Sequence, residues 1–252
     1  MILISLTSIF GNSKVLIKTL ESLLNQTVKP DEIWLFLSET PHLLDTGFKN
    51  RHLPPFLSDY IANNPIIKLK WTENTGPYRK LLPAYEALKD TDSLIITVDD
   101  DTVYVKTLLE NMLTAWNTYK CCIAYRTVSF SKPFGPTPLG QWNYLEKKVA
   151  DADADPLYLY TFHTGKGGVL YHTSFFNIPE FLTGPYLQIA DTNDDIWFNF
   201  WRIKQNIACF TLKSEYMIKD NITKFALYNN YNHNKNDAMM NKMYNYLFNT
   251  SL

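Results

Sequence analysis

Ser93-Leu94-Ile95-Ile96-Thr97-Val98-Asp99-Asp100-Asp101 is an apolar, β-branched run that stops in three consecutive carboxylates. It is too short for a helix and lacks polar alternation, which predicts a buried strand of a parallel sheet. Ligands of open α/β sheets bind outside the carboxyl ends of the strands. Three adjacent carboxylates at that edge repel one another, and a hard divalent cation relieves the repulsion. Alternate residues of an extended chain share a face, so Asp99 and Asp101 can converge on one ion while Asp100 points elsewhere. A plainer reading is compatible with this one: an acidic turn in which Asp101-Thr102 caps a following helix.

Outward from this strand the chain alternates. Residues 2–8 predict a first strand, and Gly11-Asn12-Ser13 opens a helical pattern with Val15, Leu16, Leu20, Leu23 and Leu24 on one face. Pro30-Asp31 ends that helix, and 32–38 reads as a second buried strand. Strand, helix, strand in about forty residues is a βαβ unit with a right-handed crossover. A helix over 56–62, a strand over 66–71, a turn at Thr75-Gly76-Pro77 and a helix over 78–88 come next. The acidic strand is followed by a helix over 105–117 and a strand over 121–125. This is an alternating α/β layer structure.

The second half is less regular. Pro133, Gly135, Pro136, Pro138 and Gly140 mark a loop, and Asp151 to Asp155 reads as a solvated acidic turn. A strand over 157–163, a glycine turn at 165–168, a strand over 169–171 and an aromatic helix over 191–204 are expected. The tail from Asn221 to Asn249 carries nine asparagines, and reads as either a loosely packed helix or a partly disordered lid. With no internal repeat and no clean linker, the expectation is a single domain over 1–252. Within it the chain divides into a first half, 1–125, a second half, 126–220, and a tail, 221–252.

Composition narrows the function classes. With 252 residues, 46% hydrophobic and 19% charged, the chain can bury a sizeable core. A net charge of −1 and the absence of basic runs argue against nucleic acid as a partner. Three cysteines without a CxxC pair fit a reducing cytoplasm. Neither a signal peptide nor a stretch of membrane-spanning length is recognisable.

Three further pieces accompany the acidic strand. Asn74-Thr75-Gly76-Pro77-Tyr78-Arg79-Lys80-Leu81 sets two cations on the first turn of a helix, where the macrodipole favours acids. They suit an adjacent anion, since free amides there also attract phosphate; taken alone, a solvated Arg-Lys pair is the simpler reading. His163-Thr164-Gly165-Lys166-Gly167-Gly168 brings glycines that allow close approach of a ligand, or merely a hairpin turn. Asp191-Thr192-Asn193-Asp194-Asp195-Ile196-Trp197-Phe198 places acids at a helix start, where they are also structurally favoured.

The ordered set of these pieces, over roughly residues 2 to 205, resembles the GT-A-fold glycosyltransferases, in particular bacterial family-2-like enzymes of capsule and lipopolysaccharide assembly. The resemblance implies a Rossmann-like α/β fold with a mainly parallel central sheet. It implies a nucleotide-sugar donor (UDP- or GDP-sugar) held with Mn²⁺ or Mg²⁺ on its diphosphate. By position, Thr7, Ser8 and Ser38-Glu39 would face the nucleoside, and Arg79 and Lys80 the base or diphosphate. Gly167, Gly168 and Asp100 would contact the nucleotide sugar, Asp99 would face the ribose or the metal, and Asp101 would bind the metal directly, with His233 as a further ligand; 1–125 would then be the nucleotide-binding half and 126–220 the acceptor and catalytic half. Asp195 would be the catalytic base, with Asp194 in reserve.

An inverting transfer requires a carboxylate that takes the proton from the attacking hydroxyl and a dication on the leaving diphosphate. Partial burial raises the pKa of Asp195, while the helix N-terminus and a metal lower it, so it is expected to be ionised at neutral pH. The acceptor would be a hydroxyl of a glycan or lipid-linked molecule. From residue 202 onward seven basic residues face three acids, which would suit peripheral contact with an anionic membrane, although a solvated tail is the simpler reading. Three alternatives stay open: a retaining transferase, a sugar nucleotidyltransferase, and a non-catalytic binding protein on a degenerate scaffold. The segment Ser8-Ile9-Phe10-Gly11-Asn12 lacks the glycine-rich, basic loop usual in nucleotidyltransferases.

Overall fold

Hydrophobic runs at the N-terminus form the centre of the sheet, as their unbroken apolar character requires. The computed structural model describes residues 1–129, 157–221, 223–232 and 235–248. Sequence readings at 133–140, at Asp151 to Asp155 and at His233 fall outside them. The first strands are β1 (Ile2–Thr7), β2 (Glu32–Leu37), β3 (Ile67–Trp71) and β4 (Leu94–Val98), with β5 (Thr102–Tyr104), β6 (Cys122–Ala124) and β7 (Thr127–Ser129) after them. The second half adds β8 (Leu157–Tyr158), β9 (Thr161–His163), β10 (Val169–His172), β11 (Cys209–Thr211) and β12 (Met217–Asp220). Among the described residues the main sheet has eight strands in the order β3-β2-β1-β4-β10-β6-β11-β8.

β1 pairs in parallel with β2 and β4, and β2 with β3. β10 runs antiparallel between β4 and β6, with Val169 opposite Thr97. The fold is therefore α/β with a mixed, mostly parallel sheet flanked by helices.

Side chains alternate across the strands as the two-residue period demands. Leu3, Trp34, Phe36, Ile95, Val169 and Tyr171 face one core, shared with α3 (Leu82–Leu88) and α7 (Asp194–Lys204). Ile4, Leu6, Ile33, Leu35, Ile96 and Val98 face the other, shared with α1 (Ser13–Leu24) and α4 (Leu108–Tyr119). The shorter helices are α2 (Pro55–Ala62), α5 (Pro179–Thr183), α6 (Tyr186–Ile189) and α8 (Leu227–Asn230).

Several boundaries differ from the expectations for identifiable reasons. The helix predicted over 78–88 is a 3-10 turn, Gly76–Lys80, followed by α3. Pro83 has no N–H to give the carbonyl four residues back, so an α-helix cannot run through it from residue 78. The acidic strand is followed not by a capped helix but by β5, an edge ribbon with β12. The strand expected over 157–163 is two short ones in different sheets, β8 on β11 and β9 on β7. Part of the tail is a helix, and it is packed rather than loose. α9 (Asn236–Phe248) buries Met239, Met240, Met243 and Leu247 in the core beside α7.

Candidate active site

The parallel strands β1, β2 and β4 deliver their carboxyl ends to one edge of the sheet. Because β10 is antiparallel, the glycine turn that precedes it arrives at the same edge. The turn Gly76–Lys80 is fastened there from below: Ser5 Oγ, within β1, donates to the Lys80 carbonyl at 2.6 Å. The four motifs scattered along the sequence thus meet around one side chain.

That side chain is Lys80. Its ammonium lies 3.1 Å from Asp99 Oδ1 and 3.2 Å from Asp194 Oδ2, and the residue is only 7% exposed. Burial works against the charge, but Asp194 and Asp99 outweigh it and hold the ammonium well above its ordinary pKa. Asp194 is buried as well, and burial lifts its carboxyl while Lys80 pulls it back. Gly165 closes the cluster. Its N–H donates to Asp195 Oδ1 at 2.9 Å, and a Cβ at this position would overlap Lys80 Nζ. A side chain at 165 is therefore incompatible with the Lys80 ammonium where it stands.

Asp195 is half-buried at the start of α7, and its carboxyl lies above the ordinary carboxylate range. Burial raises it first, the Asp194 and Asp99 charges add to that, and Lys80 opposes them; the result is about 7.

The three carboxylates after β4 have different partners. Asp99 faces Lys80. Asp100 accepts from Ser8 Oγ and from Asn12 Nδ2 at 3.2 Å, and burial raises its pKa to about 6. Asp101 is half-buried near a second ion pair, Lys166 with Asp220, which the β5–β12 ribbon brings to it. Burial first, then the charges of Asp100, Asp99 and Asp220, push Asp101 up to about 7. Among the described residues no three metal-ligating side chains come together.

The other candidates are placed as follows. Arg79 is not solvated: it is 1% exposed, its Nη2 lies 3.2 Å from Asp45 Oδ2, and its Nε donates to the Gly76 carbonyl at 3.0 Å. Its Nη1 is buried without a hydrogen-bond partner. Lys80 is likewise buried, so the reading of both as a solvated pair is corrected. Thr7 Oγ1 donates to the Phe36 carbonyl at 2.9 Å. Glu39 stands at the exposed rim against Arg51. Gly167 and Gly168 serve the turn: a Cβ at Gly167 would meet the Arg126 backbone, and Gly168 has φ +84°. His233 lies outside the described residues.

Sequence reasoning missed Asp45 and Asp220 at this edge, and within the glycine motif it assigned roles to Gly167 and Gly168 rather than to Gly165 and Lys166. It also missed what two of the tail's asparagines do. Asn232 Oδ1 accepts from Thr192 Oγ1 at 2.6 Å, and Asn236 Oδ1 accepts from Asn193 Nδ2 at 2.9 Å. These bonds fasten the tail to the approach to α7.

A family profile described as Glycosyl transferase family 2 matches residues 6–181, well over half of the chain and including both the acidic strand and the glycine turn. The chain belongs to glycosyltransferase family 2. No curated protein sequence matches it. Solved structures similar to this glycosyltransferase include S. aureus TarS 1-349 in complex with UDP, at 14% identity and TM-score 0.54, covering 85% of this chain and 59% of that one. TarS 1-349 in complex with UDP-GlcNAc gives 13% identity and TM-score 0.50, covering 85% and 57%. The chain thus spans somewhat over half the length of either. The 4-diphosphocytidyl-2C-methyl-D-erythritol synthase of Anaerococcus prevotii is similar at 15% identity and TM-score 0.53, covering 89% and 94%. At these identities the structural likeness establishes the fold alone, and the family rests on the profile. No helix among the described residues is long and apolar enough to cross a membrane.

Proposed function

We propose that this glycosyltransferase moves a sugar from a nucleotide-sugar donor, bound across the carboxyl edge of β1, β2 and β4, to a hydroxyl of a glycan or lipid-linked acceptor, with inversion. The observation that carries the reading is the meeting of Asp99, Lys80, Gly165, Asp194 and Asp195 at that edge in a family-2 fold. The UDP and UDP-GlcNAc complexes of the similar TarS structures support a uridine nucleotide as the first donor class to test.

Asp195 is the base. Its carboxylate has one oxygen held by Gly165 N–H, and the other takes the proton from the acceptor hydroxyl as that oxygen attacks the anomeric carbon. A pKa near 7 suits the task, because a base works best near the operating pH. Asp194, committed to Lys80, is the lesser candidate.

The acidic turn fits a hard dication, Mn²⁺ or Mg²⁺. Asp101 is pressed by three neighbouring carboxylates, an excess of negative charge that such an ion offsets. Asp101 and Asp99 would hold it, the remaining positions being left to phosphate and water, as is usual for Mg²⁺. When bound, the ion neutralises charge building on the departing diphosphate. Asp100, engaged by Ser8 and Asn12, stiffens the turn that presents its two neighbours.

The resemblance to capsule and lipopolysaccharide enzymes supports a surface-glycan acceptor on the cytoplasmic face of the membrane. A thermal-shift panel of UDP- and GDP-sugars with and without Mn²⁺ tests the proposal, since ligands of the native state raise Tm by mass action. At least one nucleotide sugar should raise Tm, and more so with Mn²⁺. No shift with any nucleotide sugar would overturn it.

A further inference from the structure

Lys80 joins three parts of the fold that are far apart in sequence. Its carbonyl is held by Ser5 in the central strand β1. Its ammonium reaches Asp99, just past β4, and Asp194, the first residue of α7. Gly165, from the turn before β10, leaves the space the ammonium occupies and also holds Asp195. An ammonium has three donors, and two carboxylates already stand within ion-pair distance of this one, in a residue 7% exposed. A lysine that binds a departing diphosphate has to offer its charge to solvent and ligand. This one is spent on the protein.

We propose that Lys80 is a positioning residue, a buried ammonium that braces the start of α7 against the end of β4 and so fixes Asp195 relative to the donor carboxylates. The inference rests on the proposed role of Asp195. Asp194 is buried and would be costly there without a counter-ion, and the same cation also holds the partly exposed Asp99, so one ammonium serves both acidic motifs. Asp194 is the anchor of the brace, and its neighbour Asp195 is thereby presented through the Gly165 N–H rather than drawn into the ion pair. The brace also assigns distinct duties to the adjacent cations: Arg79 is tied to Asp45 in the loop after β2, and Lys80 to the two acidic motifs.

The test uses Lys80→Met, with Lys80→Gln as a second variant in case the first does not fold. Hydrogen exchange of peptides covering 190–200 is measured without ligand, binding of UDP with Mn²⁺ by calorimetry, and nucleoside-diphosphate release with whichever UDP- or GDP-sugar wild type turns over fastest. A brace predicts faster exchange confined to the first turn of α7. It predicts retained UDP–Mn²⁺ affinity, because a cation beside the proposed metal site has been removed rather than a ligand. It predicts kcat lower by about 100-fold, the cost of a displacement of about 1 Å, with KM unchanged. Unaltered exchange at α7, or a loss of UDP–Mn²⁺ affinity with kcat intact, would overturn it and make Lys80 a donor ligand. If wild type turns over no nucleotide sugar, the proposed function fails, and the exchange result still decides whether Lys80 braces α7.

Discussion

The N–H of Gly165 donates to Asp195 Oδ1 at 2.9 Å, joining a turn before β10 to the first turn of α7. Replacing Gly165 by Ala would drive a Cβ into Lys80 Nζ and to 3.3 Å from that same carboxylate oxygen. Gly165→Ala should therefore cut kcat by about 100-fold with nucleotide affinity retained. Steady-state kinetics beside UDP calorimetry checks this; normal kcat would mean that the turn is free to move.

The acidic limb of the pH–rate profile reports the base. Asp195 must be ionised to accept a proton, and burial with the neighbouring charges of Asp194 and Asp99 holds its pKa at about 7. Turnover should therefore rise from pH 5.5 towards about 8, since the protonated form that dominates below the pKa is inactive. A rate already level from about pH 5 upward would place the base in an ordinary carboxylate environment.

The acidic strand, the βαβ start and the aromatic helix were legible because long apolar runs and helical periodicity survive without tertiary context. Ser93 to Asp101 shows this directly: its buried half must be a strand, and its charged end must lie at the sheet edge. The short pieces were not legible. β11 is Cys209-Phe210-Thr211, and β12, bearing the exposed Ile218, has no apolar face to reveal it. The burial of Arg79 and Lys80 was hidden too, because their partners, Asp45, Asp99 and Asp194, lie at distances in sequence that no local pattern spans. Asp195 was legible as a candidate base, but not its environment, which burial sets.

Arg79 and Asp45 form a buried pair, and Asp45 also accepts from Asn74 Nδ2 at 3.0 Å and from the Gly47 N–H at 3.0 Å. Asp45→Ala leaves a guanidinium buried without its counter-ion, which should cost about 3–5 kcal/mol of stability. Urea unfolding reads this directly. Stability equal to wild type would mean that Arg79 escapes to solvent. Arg79→Ala should weaken donor binding in addition, because the base-side edge loses its support.

Asp101→Ala should abolish the Mn²⁺-dependent part of nucleoside-diphosphate affinity while leaving the fold intact, as far-UV circular dichroism would report. Equal affinity of wild type and variant in Mn²⁺ by calorimetry would remove Asp101 from the metal site and return the acidic turn to a structural role.

The central claim is that Asp195 is the base of a nucleotide-sugar-dependent transfer, and Asp195→Asn isolates it, keeping the shape and losing the proton acceptor. Nucleoside-diphosphate release is measured for wild type and this variant with the same UDP- or GDP-sugar and Mn²⁺, next to binding of the free nucleotide. The account predicts near-normal nucleotide binding and turnover lower by about two to four orders of magnitude. Asp195→Asn at wild-type turnover, with Asp194→Asn inactive, would move the base one residue back; wild-type turnover in both would contradict the mechanism.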